Sequence, residues 1–132
     1  MTREEIYNDI RNTFGQVPTF FTHVPDATLE HDWLAFKAWQ LNETVIPLKY
    51  KELIGLAVAA QSQCPYCLFY HREVAKFFGA TTAELDEAAR MGMQTAAWST
   101  FIAGTGQDLE QFKKELLAGL DYIRKQQQQK AA

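Results

Sequence analysis

Residues 51–85 read KELIGLAVAAQSQCPYCLFYHREVAKFFGATTAEL and contain both cysteines of the chain and one of its three histidines. Pro47 suits a first helical position, and the stretch from there to about Ser62 is apolar on nearly every side after Lys51, the profile of a buried central helix. Pro65 repeats the start signal, so a second helix is expected to begin at or beside Cys64 and to end before Gly79. If the chain turns at Ser62 and Gln63, the two form an antiparallel pair with the cysteines at the N-terminus of its second member.

Helical spacing also dominates outward from this pair, and no stretch alternates apolar and polar residues between hairpin turns. Thr2 with Glu5 has the form of a capping box, opening a helix that runs to about Phe14 and stops at Gly15. After the irregular QVPTFFTHVPDA, Asp26 is expected to cap a helix that carries Leu29, Trp33 and Phe36 and ends near Asn42. Thr81 with Glu84 repeats the capping box for a helix that Gly92 is expected to close, followed by another over Gln94 to Ala103. Asp108 begins the last, with Leu109, Phe112, Leu116, Leu117, Leu120 and Ile123 at spacings of three and four. The chain thus reads as an all-α domain of six to seven helices over residues 1–125. The polar run from Gln126 to Ala132 is expected to be a disordered tail.

With a formal charge of −3 and no Lys/Arg block beyond RKQQQQK, the chain lacks the positive field that a phosphate backbone needs. Nucleic acid is therefore not expected as a partner. The N-terminus lacks the basic-then-apolar layout of a secretory signal, and the longest apolar run, Leu53 to Ala60, is far short of the ~18 residues that span a bilayer. The expectation is a cytoplasmic protein without membrane contact. In that compartment two cysteines stay reduced, which gives weight to a catalytic or metal role over a structural disulfide.

On a helix, Cys64, Cys67 and His71 occupy positions i, i+3 and i+7 and share one stripe. Unfilled N–H groups at a helix start favour a thiolate, which points to Cys64. An imidazole one turn from Cys67 can take its proton, which points instead to Cys67. Physical chemistry leaves open which sulfur attacks. Glu52 begins the apolar run of the preceding helix, and at ~1.5 Å per residue it lies about 15 Å from the turn, with His71 about 10 Å beyond the turn on the other helix. The remaining offset of about one helical turn is spanned by a long side chain, a water or a modest crossing angle. The order implied is carboxylate, imidazole, thiol: Glu52 orients His71, and His71 serves Cys67 as general base.

A Glu twelve residues before a C-x-x-C, with a His four residues after it, resembles the core of the AhpD-like alkylhydroperoxidase group within the carboxymuconolactone decarboxylase superfamily. The resemblance implies a helical fold, a homo-oligomer that is often trimeric or hexameric, and peroxide- or disulfide-reducing activity without a metal or other cofactor. It makes Cys67 the peroxidatic thiolate and Cys64 the resolving cysteine, with Glu52 and His71 as a proton relay. It also implies a hydroperoxide substrate and a dithiol reductant, a lipoyl group or another protein thiol. Well-known members have a histidine between the cysteines; here Tyr66 stands there, and a phenol with pKa near 10 is a poor base at neutral pH.

Other readings compete. A disulfide between neighbouring turns of one helix closes a tiny loop and would stabilise little. Cys64, Cys67, His71 and Glu52 are also four zinc-compatible donors, so a redox-sensing or zinc-holding oligomer with little catalysis is the alternative. Trp33, Phe36 and Trp39 fit a core or subunit interface, and His23 and His31 take no role.

Overall fold

The computed structural model describes residues 1–131. Among them are six α-helices and no strand: α1 (Arg3–Phe14), α2 (Asp26–Gln40), α3 (Leu48–Ser62), α4 (Pro65–Phe77), α5 (Thr82–Gly104) and α6 (Leu109–Ala131), with a 3-10 turn at Thr19–His23 between α1 and α2. The all-α expectation and the helix count agree with this architecture. None of the described helices is long and apolar enough to cross a membrane.

Helix starts follow local chemistry. The Thr2 hydroxyl accepts the Glu5 N–H while the Glu5 carboxylate accepts the Thr2 N–H, and Thr81 with Glu84 repeats the arrangement for α5. Gly15 ends α1 at φ 78°, a left-handed conformation that a residue without Cβ adopts freely. Asp26, expected as a cap, is instead the first helical residue of α2. Pro25 precedes it without a side-chain cap, and the Asp26 carboxylate is drawn away to the Arg3 guanidinium.

Two clusters of buried side chains follow. Ile6, Ile10, Phe21, Leu29 and Trp33 hold α1, the 3-10 turn and α2 together. Leu56, Ala75, Ala80 and Leu85 form the second, with α3 packed along both α4 and α5. Lys51 Nζ donates to the carbonyls of Trp39 (2.7 Å) and Asn42 (2.9 Å), tying the start of α3 to the end of α2.

Two expectations are corrected. Gly92 does not close a helix: the segments expected on either side of it are one 23-residue helix. A single glycine costs only about 1 kcal/mol in a helix interior, and its neighbours in Arg90–Ala97 include no proline. Its role is steric, since a Cβ on Gly92 would lie 2.6 Å from the Ala57 carbonyl oxygen, so α3 and α5 meet backbone to backbone there. The polar run expected as a disordered tail is helical through Ala131; Gln, Lys and Ala are all good helix formers. Ala132 lies outside the described residues.

Candidate active site

The turn between α3 and α4 is made by Gln63, which caps α3 at φ 54°, ψ 32°. Its left-handed backbone lets the next residue start a new helix at once. Cys64 is the N-cap of α4, and its Sγ accepts the backbone N–H of Cys67 at 3.3 Å. The two sulfurs lie 2.9 Å apart as free thiols, within hydrogen-bond distance of one another. That bond, together with the backbone N–H groups of Cys67 and Tyr66, lowers the Cys64 pKa below the ordinary thiol value. The same sulfur–sulfur contact, with burial and the neighbouring Cys64 charge, pushes Cys67 up. Of the two sulfurs Cys64 is therefore the one that ionises first, as the helix-start argument anticipates.

His71 lies one turn beyond Cys67, and its Nδ1–H donates to Glu52 Oε2 at 2.6 Å. Glu52 is the buried charged residue of the core, 1% exposed on the inner side of α3. The offset expected between the two is spanned directly by the side chains. Gly55 makes this possible, because a Cβ there would overlap the His71 ring. With Nδ1 committed to the carboxylate, Nε2 is the free acceptor of the neutral ring.

Tyr70 packs edge-on against the His71 ring, centroids 5.1 Å apart, and against Phe36 at 6.3 Å. Burial and the nearby Glu52 charge raise its pKa to about 12, so the phenol stays neutral. Its hydroxyl is buried without a hydrogen-bond partner. Tyr66, by contrast, is 85% exposed and offers no buried base between the cysteines.

Cys67 and His71 open onto a cleft of about 780 Å³, whose far wall comes from the N-terminal cluster, chiefly Phe14, Phe20 and Phe36. Cys64 is not part of its lining. This wall is what inspection of the motif misses: Phe14 and Phe20 lie more than 40 residues upstream of the cysteines, and nothing in their spacing points to the site. Of the aromatic residues expected in a core or interface, Trp33 is fully buried, Phe36 reaches the cleft and Trp39 is exposed. His23 and His31 do not line it. No group of three or more His, Cys, Asp and Glu side chains among the described residues converges as a metal-ligand set.

The family model for the carboxymuconolactone decarboxylase family matches residues 23–106, from the end of the 3-10 turn through the whole of α5. The chain belongs to this family. Within it the fold is AhpD-like: the crystal structure of the alkylhydroperoxidase AhpD core from Rhodospirillum rubrum superimposes with a TM-score of 0.70. That match covers 83% of this chain and 84% of the other at 24% sequence identity. No curated protein sequence matches the chain. The carboxymuconolactone decarboxylase family match includes Glu52, Cys64, Cys67 and His71 and excludes α1 and α6.

Proposed function

We propose that the chain is a thiol-dependent peroxidase that reduces apolar hydroperoxides through the Cys64/Cys67 pair. The observation that carries this reading is the placement of Cys67 and His71 together in the wall of an aromatic cleft, with the second sulfur 2.9 Å away. A sulfur buried for packing alone would have no need of a neighbouring thiol, a base and a cleft.

In the proposed sequence, His71 Nε2 accepts the Cys67 proton, with Glu52 holding the ring and favouring the imidazolium that forms. The Cys67 thiolate attacks the terminal peroxide oxygen. The S–O bond forms as the O–O bond breaks, and the departing alkoxide takes a proton to leave as an alcohol. Cys67 is then a sulfenic acid. The Cys64 thiolate attacks the sulfenic sulfur, the S–S bond forming as the S–O bond breaks, and the departing hydroxide takes a proton from solvent to leave as water. The sulfurs approach from 2.9 Å to about 2.05 Å, so little backbone movement is needed. A dithiol, lipoyl or on another protein, returns two electrons by exchange.

The charge distribution of the resting pair suits this division of labour. Cys64, ionising first, is available as the resolving thiolate, while Cys67 needs His71 to take its proton before it attacks. A second reading, a redox sensor oxidised reversibly without turnover, draws on one observation: exposed Tyr66 supplies no extra base.

Peroxide consumption with a panel of dithiols separates the two readings. Cys67→Ser is expected to abolish it. Cys64→Ser should stop after one equivalent, with sulfenate or a mixed disulfide trapped on Cys67. Glu52→Gln should slow turnover by about 10²-fold. Full turnover by Cys67→Ser would overturn the assignment, and reversible oxidation without turnover under every dithiol would favour the sensor.

A further inference from the structure

Among the described residues the Tyr70 hydroxyl is the one side-chain polar atom buried without a hydrogen-bond partner, and the peroxide step above makes no use of it. Buried polar groups in native folds are nearly always bonded, and each exception calls for a reason. Left unpaired, the hydroxyl costs stability that a phenylalanine of the same shape would not cost. A local rule broken in this way marks a functional position more often than a structural one.

The place of Tyr70 in α4 indicates the function. Tyr70 and His71 follow Cys67 by three and four residues, one turn on along the same face. Helical side chains lean toward the N-terminus of their helix, so both rings lean toward the turn that carries the thiol. All three residues line the cleft of about 780 Å³. The phenol is held on two sides, by the His71 ring at 5.1 Å and the Phe36 ring at 6.3 Å. A hydroxyl pinned like this cannot travel to an acceptor, so the acceptor has to come to it. Gln16, Gln40 and Tyr66 bring oxygens to the cleft lining, yet none of them bonds to it. The remaining source of an oxygen is the molecule that enters.

Its charge state suits a donor. Burial and the Glu52 carboxylate hold the phenol pKa up at about 12, so the proton stays on at neutral pH. Towards an alkoxide, a stronger base than a phenolate, the phenol is still an acid.

We infer that Tyr70 is a catalytic residue of the peroxide step, its O–H binding the oxygen that leaves. The inference rests on the peroxidase reading given above. As the Cys67 thiolate attacks the terminal oxygen, the S–O bond forms, the O–O bond breaks, and the electron pair of that bond passes to the departing oxygen. Tyr70 gives this oxygen a proton. From the imidazolium beside it, Tyr70 takes back the proton that His71 removed from Cys67. A thiol and a hydroperoxide become a sulfenic acid and an alcohol, and Tyr70 and His71 end as they began.

Tyr70→Phe removes the hydroxyl and keeps the ring. Two oxidants of similar bulk separate its roles in single-turnover reactions with the reduced protein. Cumene hydroperoxide releases an alkoxide, whereas perbenzoic acid releases a carboxylate that needs no proton at neutral pH. The variant should lose about 10²-fold in rate with the first and far less with the second. Its melting temperature should equal or exceed that of the unaltered protein, because an unpaired buried hydroxyl is gone. Equal losses with the two oxidants, or unchanged rates with both, would overturn the inference and leave the peroxidase reading standing. A lower melting temperature without the split between oxidants would assign the hydroxyl to packing and overturn it as well. Unaltered, reduced protein that consumes neither oxidant would overturn the peroxidase reading, and the role of Tyr70 with it.

Discussion

Which of Cys64 and Cys67 ionises first is set by three short contacts: the Sγ–Sγ approach and the N–H groups of Cys67 and Tyr66. The sign of the pH dependence follows. Because the Cys64 pKa is depressed in the fold, its thiolate persists below the pH at which an ordinary thiol ionises, and it is lost as the pH falls through the depressed value. Alkylation of the reduced protein by iodoacetamide should therefore show an inflection below ~8.5. In Cys67→Ala the S–H donor is gone while the backbone donors remain, so the inflection should move up. An inflection that stays put would mean that the backbone alone sets it. At this scale the sequence was partly legible. The twelve-residue spacing from Glu52 to Cys64 was enough to single out the acid, and the i, i+3, i+7 stripe was enough to group the thiols with His71. The resting charge stayed open between two arguments because it depends on a 2.9 Å contact that spacing cannot express. Spacing places Tyr70 beside the motif but does not give its state: its raised pKa comes from burial and from Glu52, 18 positions away in sequence.

Helix boundaries were legible wherever the signal is local. Both capping boxes form, Pro65 opens α4, and Gly15 ends α1. Gly92 misled because a glycine has two uses, ending a helix or admitting a neighbour, and the sequence alone does not distinguish them. Here the neighbour is the Ala57 carbonyl. Gly92→Ala puts the two effects in opposition: alanine favours an isolated helix by about 1 kcal/mol, but the added methyl must separate α3 from α5, and overpacking costs about 1–3 kcal/mol. The net expectation is a lower melting temperature, read by thermal circular dichroism. A higher one would mean that the interhelical contact relaxes without cost. The same comparison at Gly119, where a Cβ meets nothing within 4 Å, should give a small gain and serves as the control.

Across the whole molecule, the proposed site rests on two clusters that meet at one cleft. α3 and α4 supply the acid, base and thiols, while the N-terminal helices supply an aromatic wall that neither helix of the pair contains. If this wall selects substrate, Phe20→Ala should raise KM for a bulky aromatic hydroperoxide by about 10-fold and leave hydrogen peroxide turnover unchanged. Equal losses on both substrates would assign Phe20 to packing instead. The sequence by itself determined the helical class and the antiparallel pair and grouped Glu52, Cys64, Cys67 and His71 as candidates, because each depends on periodicity, capping or spacing within a few turns of chain. Only the tertiary structure decided that Glu52 touches His71 through the gap left by Gly55, that Gly92 joins two helices rather than ending one, and that Phe14, Phe20 and Phe36 face Cys67. Those are contacts between segments far apart along the chain, fixed by how close two backbones can come, and no local pattern encodes that distance.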